Sequence, residues 1–378
     1  MVSEYQDQAV RLDYSARRRR LREKVFASSS RIRQTVDTVL VLGAPNLEYL
    51  TGFTGSFAWL VMRPESEHLL TSGVYATQIA EEVPDIPCER IPVGVEPTEP
   101  LCQLLQALGT RVLGVDTSQS YAFIRGLQRR LRKAGIQVRP TRIPIELLRI
   151  VKDAYEVARI RDAVAIADAT FEHIQRLFQP EVVEWDIAME IDFYLRRQGA
   201  YPAFETIVAS GTRSALPHAR PTERRLQRGD FVTVDFGARL QGYCSDITRT
   251  VVVGKASAEQ KRVYYAVLEA LERSIEAIRP GRRGKQIDAV ARKVLQKHGL
   301  SDYFGHSLGH SLGLAVHDGR GFSPREKGAL QVGMVLTVEP GVYIPGFGGV
   351  RIEQDVLVTE TGCEVLSRSP IGLIETGG

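Results

Sequence analysis

Along residues 157–174 the apolar positions Val157, Ile160, Val164, Ala167, Phe171 and Ile174 step by 3, 4, 3, 4 and 3. That spacing draws one stripe down an α-helix, with His173 beside it as a packed or surface residue. A second helix is predicted from about Glu184 to Gln198, with Gly199 as its C-terminal cap. After the loop FETIVASGTRSALPH the period changes. Residues 231–254, FVTVDFGARLQGYCSDITRTVVVG, hold two runs rich in Val, Thr and Ile on either side of Ala238–Tyr243, the pattern of a β-hairpin. The order then recurs. Ser257 with Gln260 forms a capping box that opens a helix to about Ile278. Pro280-Gly281 ends it, as Pro180 ends the first helix of the earlier half. A helix from about Lys285 to His298 follows, capped by Gly299, then a histidine-containing loop and a second hairpin from Met334 to Val358. The region reads helix, helix, loop, hairpin, twice over, with matching points about 100 residues apart. Such internal similarity commonly seats a site between the halves, although it can be purely architectural.

The N-terminal third alternates differently. Thr38–Gly43, Ala58–Met62 and Thr110–Asp116 read as strands, and Tyr121–Ala134 has helical spacing with a basic outer face. PNLEYLTGFTGS, between the first two strands, reads as a turn-rich connection. Strands alternating with helices predict a compact α/β unit of mixed sheet. It has no GxGxxG or GxxxxGK[ST] and hence no evident phosphate-cradling loop. The Pro-rich stretch at Pro140 and Pro144 suggests a domain boundary: residues 1–145 form one domain and 146–378 the other.

Within the hairpins, polar residues break the pattern. Asp235 and Asp246 occupy strand positions where an apolar side chain is expected, and the midpoint between them falls between Leu240 and Gln241. Folding there sets the two carboxylates opposite each other, where they repel unless a proton or cation intervenes. Taken alone, one aspartate could cap a turn while the other is solvated. Glu339 and Glu353, however, repeat the arrangement about Gly346 in the second hairpin, provided no bulge shifts the register. Four carboxylates buried together are prohibitively costly without cations. HSLGHSLGLAVHD adds His306, His310 and His317, with Gly309 and Gly313 allowing close backbone approach. One imidazole among carboxylates suits Mn²⁺, Co²⁺, Fe²⁺ or Zn²⁺, and two divalent cations balance four carboxylates. Two-metal sites of that kind hydrolyse acyl or phosphoryl bonds.

Composition adds boundaries rather than function. With 43% apolar and 25% charged residues, the 378-residue chain is an ordinary globular protein of two-domain length. A net charge of +4 is too small to argue for nucleic acid or membrane. Cys88, Cys102, Cys244 and Cys363 form no CxxC pair, which suggests a reducing compartment and no disulfide framework. No apolar run spans a bilayer, and the first residues lack a secretory h-region, so the expected location is cytoplasmic. Arg17–Arg20, with Arg22 and Lys24, is read as the solvated face of a first helix whose apolar side comes from Leu12, Leu21 and Val25, rather than as a nucleic-acid or lipid site.

Taken together, VDFGA (Asp235), CSDITRT (Asp246), GHSLGLAVHD (His310, His317), VEPGVY (Glu339) and GVRIEQD (Glu353) resemble the motifs of the M24 metallopeptidases. The resemblance is strongest to the Xaa-Pro branch, aminopeptidase P and prolidase (Xaa-Pro dipeptidase), and covers roughly residues 150–370. The preceding unit is similar to the creatinase-type N-terminal domain. The fold implied is α+β, a C-terminal pita-bread catalytic domain behind a smaller α/β domain. The resemblance implies Asp235, Asp246, His310, Glu339 and Glu353 as ligands to two divalent ions, Mn²⁺ first, Co²⁺ or Zn²⁺ otherwise, with Asp246 and Glu353 bridging. It also implies a metal-bridged hydroxide that attacks the carbonyl before proline, with Glu339 shuttling its proton. His218 would contact substrate, His317 would stabilise the tetrahedral intermediate, and Arg351 and Tyr343 would orient substrate or ligands.

The substrates implied are short peptides with proline second, and the assembly a homodimer, with no nucleic-acid or membrane partner. Asp318, where Glu is frequent, and Ser311, where Gly is common, depart from the family pattern and touch no expected ligand. His306 is read as packing. Two readings compete: a metal-free, creatinase-like amidinohydrolase, and a non-catalytic peptide-binding module of the same fold. Both usually lose the ligands, and all five are intact here.

Overall fold

A computed structural model describes residues 12–376, except 28, 29, 33 and 34. It divides into two units, Met1–Leu148 and Arg149–Gly378. The expectation of no secretory signal rests largely on residues 1–11, outside those described.

In the first unit the order is α1 (Tyr14–Phe26), β1 (Thr38–Val41), α2 (Ala44–Thr51), β2 (Ala58–Met62), β3 (Glu67–Ser72), α3 (Ala76–Glu82), β4 (Cys88–Ile91), α4 (Thr98–Ala107), β5 (Val112–Asp116), α5 (Tyr121–Arg132) and β6 (Gln137–Thr141). The strands form one sheet in the order β4-β3-β2-β1-β5-β6. β1 pairs antiparallel with β2 and parallel with β5, so the sheet is mixed as expected. Pro140 lies in edge strand β6, where a missing N–H costs no ladder bond.

Two expectations about this unit fail. PNLEYLTGFTGS is not simply a connection: α2 occupies its first half, with Pro45 in the first turn and Gly52 ending it at φ 78°. The basic run of α1 is not all solvated, because Arg17 and Arg18 are buried. The Arg18 guanidinium donates to Glu67, Asp85 and the Leu50 carbonyl, and Arg17 lies over the Tyr49 ring. Arg19 and Arg20 do face solvent. Pairing with acids distant in sequence is invisible to helical periodicity.

A single turn, α6 (Glu146–Arg149), leads into the second unit. There α7 (Ala154–Ile174) and α8 (Glu184–Arg197) precede β7 (Tyr201–Pro202), β8 (Ile207–Ser210), β9 (Phe231–Phe236), β10 (Ala238–Leu240), β11 (Tyr243–Cys244) and β12 (Ile247–Val253). Next come α9 (Ala258–Ala277), α10 (Gly284–Lys297), β13 (Val335–Val338), β14 (Gly341–Ile344), β15 (Gly348–Arg351), β16 (Gln354–Val358), β17 (Cys363–Val365) and β18 (Ile374–Thr376). The Ser257 capping box is present.

The repeat is visible in the backbone. Glu181 (φ 72°) and Gly281 (φ 83°) stand at matching places, and their N–H groups donate to Leu226 O and Leu330 O. Each half builds its own core. Phe171, Ile187, Ile191, Val232 and Val234 pack in the first, and Val267, Ile287, Leu336, Val338 and Val356 in the second.

Candidate metal centre

Strand alternation aims the acidic residues. In β9, Val232, Val234 and Phe236 pack toward α7 and α8, which turns Thr233 and Asp235 to the other face. Pairing with β12 sets Asp235 opposite Thr248, not Asp246. The expected fold point between Leu240 and Gln241 is displaced because Leu240 pairs with Tyr243 around Gln241 (φ 47°) and Gly242 (φ 85°). Two residues at positive φ make the tight hairpin turn whose twist suits the strands. A slip of two residues keeps side chains on their face, so Asp246 lies diagonal to Asp235 on the same side.

The second hairpin keeps the expected register. Val338 pairs with Gln354 and Gly341 with Arg351, which brackets Glu339 and Glu353 directly across from each other. The polar faces of the two hairpins then meet. Thr248 Oγ1 donates to Glu353 Oε2 at 2.7 Å, Thr250 Oγ1 to Arg351 O at 3.0 Å, and the Asp246 N–H to Asp355 Oδ2 at 3.1 Å.

His310 enters from the loop after α10. Its Nε2 is 3.5 Å from both Asp246 Oδ2 and Glu339 Oε1. Its Nδ1 lies 3.3 Å from Ser311 O, which assigns the proton to Nδ1 and leaves the Nε2 lone pair toward the acids. Gly309 makes this approach possible, since a Cβ there would stand 2.0 Å from Thr337 O. One ligand atom each from Asp246, His310 and Glu353 lie within 4.8 Å of one another. Asp235 Oδ1, Asp246 Oδ1 and Glu353 Oε1 are buried without a hydrogen-bond partner. Burial, then the neighbouring carboxylates, raises Asp246 and Glu353 well above the usual carboxylate range, and burial raises Glu339. Unpartnered buried oxygens and mutual repulsion describe a cage that fits divalent cations.

The remaining expected residues cluster around the cage. Arg351 donates from Nη2 to Asp235 Oδ2 at 2.5 Å, from Nη1 to Tyr343 Oη at 2.6 Å and from Nε to Thr248 Oγ1 at 3.0 Å. It also reaches Pro217 O at 3.2 Å and so anchors the loop carrying the exposed His218. The exposed His317 stacks edge-on against His310, with centroids 4.2 Å apart. Burial first, then His310 and His218, lowers its pKa.

His306 does more than pack. Its Nδ1 faces Ser307 O at 2.8 Å, so Nε2 accepts from Tyr343 Oη at 3.0 Å. Sequence reasoning also missed Asp355, which is fully buried, aligned on the same face as Glu353 and pushed up to about 7 by burial. The signal was present: in GVRIEQD the two acids are two residues apart on a strand.

Residues 158–360 match metallopeptidase family M24, and residues 17–151 match the creatinase/prolidase N-terminal domain. The chain is 37% identical over 356 residues to an Xaa-Pro dipeptidase of Pyrococcus horikoshii, spanning 90% of this chain and 95% of that protein. An Xaa-Pro dipeptidase from Bacillus anthracis superposes with a TM-score of 0.90 at 36% identity, over 96% of this chain and all of that one. An X-Pro aminopeptidase from Thermotoga maritima gives 0.82 at 34%, over 91% and 99%.

Proposed function

The chain belongs to metallopeptidase family M24, and from that premise we propose that it is a metal-dependent Xaa-Pro exopeptidase that releases the residue ahead of proline. The observation that carries this reading is the meeting of His310 Nε2 with Asp246 and Glu339 beside orphaned oxygens of Asp235, Asp246 and Glu353.

Asp235, Asp246, His310, Glu339 and Glu353 would hold two divalent ions. When bound, such ions make water acidic and polarise the scissile carbonyl. Glu339, its Oε1 steadied by Thr337 Oγ1 at 3.2 Å, takes the proton of the attacking water and returns it to the proline nitrogen. That nitrogen is a tertiary amide in the substrate and a poor leaving group until protonated. His317, kept neutral by its lowered pKa, donates an N–H to the oxyanion. His218, on the loop held by Arg351, contacts the substrate backbone. Tyr343 is held between Arg351 and His306 by its hydroxyl.

Of the two exopeptidase activities, the reading favours dipeptide cleavage, the activity named for the relatives from Pyrococcus horikoshii and Bacillus anthracis. Aminopeptidase action on longer peptides is the second reading, drawn from the Thermotoga maritima relative. Manganese as the resident ion, a cytoplasmic setting and a homodimer belong to the same proposal. Cys88, Cys102 and Cys363 are free thiols, and no helix among the described residues is long and apolar enough to cross a membrane. The test strips metal, restores Mn²⁺ or Co²⁺, and assays Xaa-Pro dipeptides beside Xaa-Pro-Xaa tripeptides. Cleavage of dipeptides alone selects dipeptidase, and no Xaa-Pro cleavage with any metal overturns the proposal.

A further inference from the structure

Behind the histidine loop lie three buried charges that the mechanism above does not use. Arg149, Lys152 and Asp318 are 6%, 5% and 3% exposed. The Asp318 carboxylate faces one cation with each oxygen: Oδ1 meets Arg149 Nη2, and Oδ2 lies 3.5 Å from Lys152 Nζ. Lys152 Nζ also lies 3.3 Å from Ser311 Oγ and 3.4 Å from Ile150 O. The surrounding backbone is shaped to this group. A Cβ on Gly313 would stand 2.1 Å from Asp318 Oδ2 and 3.0 Å from Lys152 Cε, so only glycine lets the loop close over the carboxylate.

Buried ion groups add little net stability over apolar packing of equal volume. What this one adds is direction, and the direction leads to two site residues. Ser311 O accepts the Asp318 N–H at 2.8 Å and also faces His310 Nδ1 at 3.3 Å. The carbonyl that fixes the His310 tautomer is thus shared with the residue the two cations hold, and its own side chain contacts Lys152. His317 immediately precedes Asp318, and its ring lies 4.2 Å from that of His310. We propose that Arg149, Lys152 and Asp318 are positioning residues that set the ring orientation and tautomer of His310 and the placement of His317. The kinetic part of this proposal rests on the Xaa-Pro exopeptidase reading. The same hydrogen-bond partners that hold a ligating histidine in other sites change activity or metal affinity about 10- to 100-fold when removed.

The experiment compares the parent with Lys152→Met, which keeps the Arg149–Asp318 ion pair, and with the nearly isosteric Asp318→Asn. Two readouts are taken: kcat and KM of the Mn²⁺-loaded chain on an Xaa-Pro dipeptide, and histidine ¹⁵N spectra of the metal-free chain, which report tautomers without turnover. The expected result is a kcat reduced about 10- to 100-fold with KM within about twofold, and a His310 signal that loses its Nδ1–H character. If Lys152→Met does not fold, Asp318→Asn decides by the same two readouts. Variants that melt cooperatively with kcat unchanged overturn the proposal, as does a loss of kcat with the His310 and His317 signals unmoved. A parent inactive on every Xaa-Pro peptide defeats the exopeptidase reading instead, and the tautomer comparison still judges the triad.

Discussion

The guanidinium of Arg351 lies 2.5 Å from Asp235 Oδ2, across 116 residues of sequence. The same group reaches Tyr343 Oη, Thr248 Oγ1 and Pro217 O, so one planar fork fixes the Asp235 carboxylate, the Tyr343 hydroxyl and the loop of His218. Lysine carries the charge but a single nitrogen and cannot hold four partners. Arg351→Lys is expected to lower kcat/KM on Xaa-Pro dipeptides by about 10- to 100-fold while the protein still melts cooperatively. Activity within twofold of the parent would remove Arg351 from the positioning role.

The carboxylate cage makes metal-free protein sensitive to pH in a definite direction. Burial and neighbouring charges hold Asp246 and Glu353 above their usual range, and Asp355 is pushed up to about 7. The folded state then binds more protons than the unfolded chain above about pH 4, so stability falls as pH rises toward 7 and beyond. Metal-stripped protein is expected to melt at lower temperature at pH 8 than at pH 5.5, and Asp246→Asn to flatten that slope while abolishing metal-dependent turnover. A stripped protein whose melting temperature climbs with pH over this range would contradict the cage.

His306 acts with the opposite sign. Burial, opposed by its bond to Ser307 O, lowers its pKa from 6.5 to about 4. Between those values the unfolded chain takes up a proton that the folded state refuses, so this group's contribution is lost as pH falls from about 6.5 to 4. In metal-loaded protein, His306→Gln, which can still accept from Tyr343, is expected to reduce the acid-side slope by at most about 1.4 kcal/mol per pH unit. Identical parent and variant slopes, followed by chemical denaturation at each pH, would show that His306 is not buried neutral.

Two glycines provide a test of packing by opposite signs. A Cβ at Gly309 meets the Thr337 carbonyl at 2.0 Å, whereas at Gly126, within α5, it meets nothing within 4 Å. Gly309→Ala should cost about 3 kcal/mol or prevent folding. Gly126→Ala should stabilise by about 1 kcal/mol through helix propensity. Urea midpoints measure both. A tolerated Gly309→Ala would mean that the histidine loop is not wedged against β13.

Much of this was legible in the chain. The 3,4 stepping of α7, the Ser257 capping box and the helix-helix-loop-hairpin recurrence rest on local interactions, and local patterns record them. Glu339 and Glu353 came out facing because β13 to β16 keep one unbroken register. Asp235 and Asp246 came out on the correct face but two residues off, because the turn at Gln241-Gly242 chooses its centre by twist rather than symmetry.

Sequence by itself determined which acids leave the apolar pattern, and hence where a cation-binding site was to be expected. It could do so because burying carboxylates is costly enough to be meaningful wherever they occur. Only the tertiary structure decided which groups restrain them: Arg351 on Asp235, Thr248 on Glu353, Tyr343 on His306, and the Arg149–Asp318–Lys152 group behind Ser311. Each of these joins residues brought together by sheet register and loop closure. Contacts of that kind leave no period in the chain, since their energy depends on distance in space and not on separation along it.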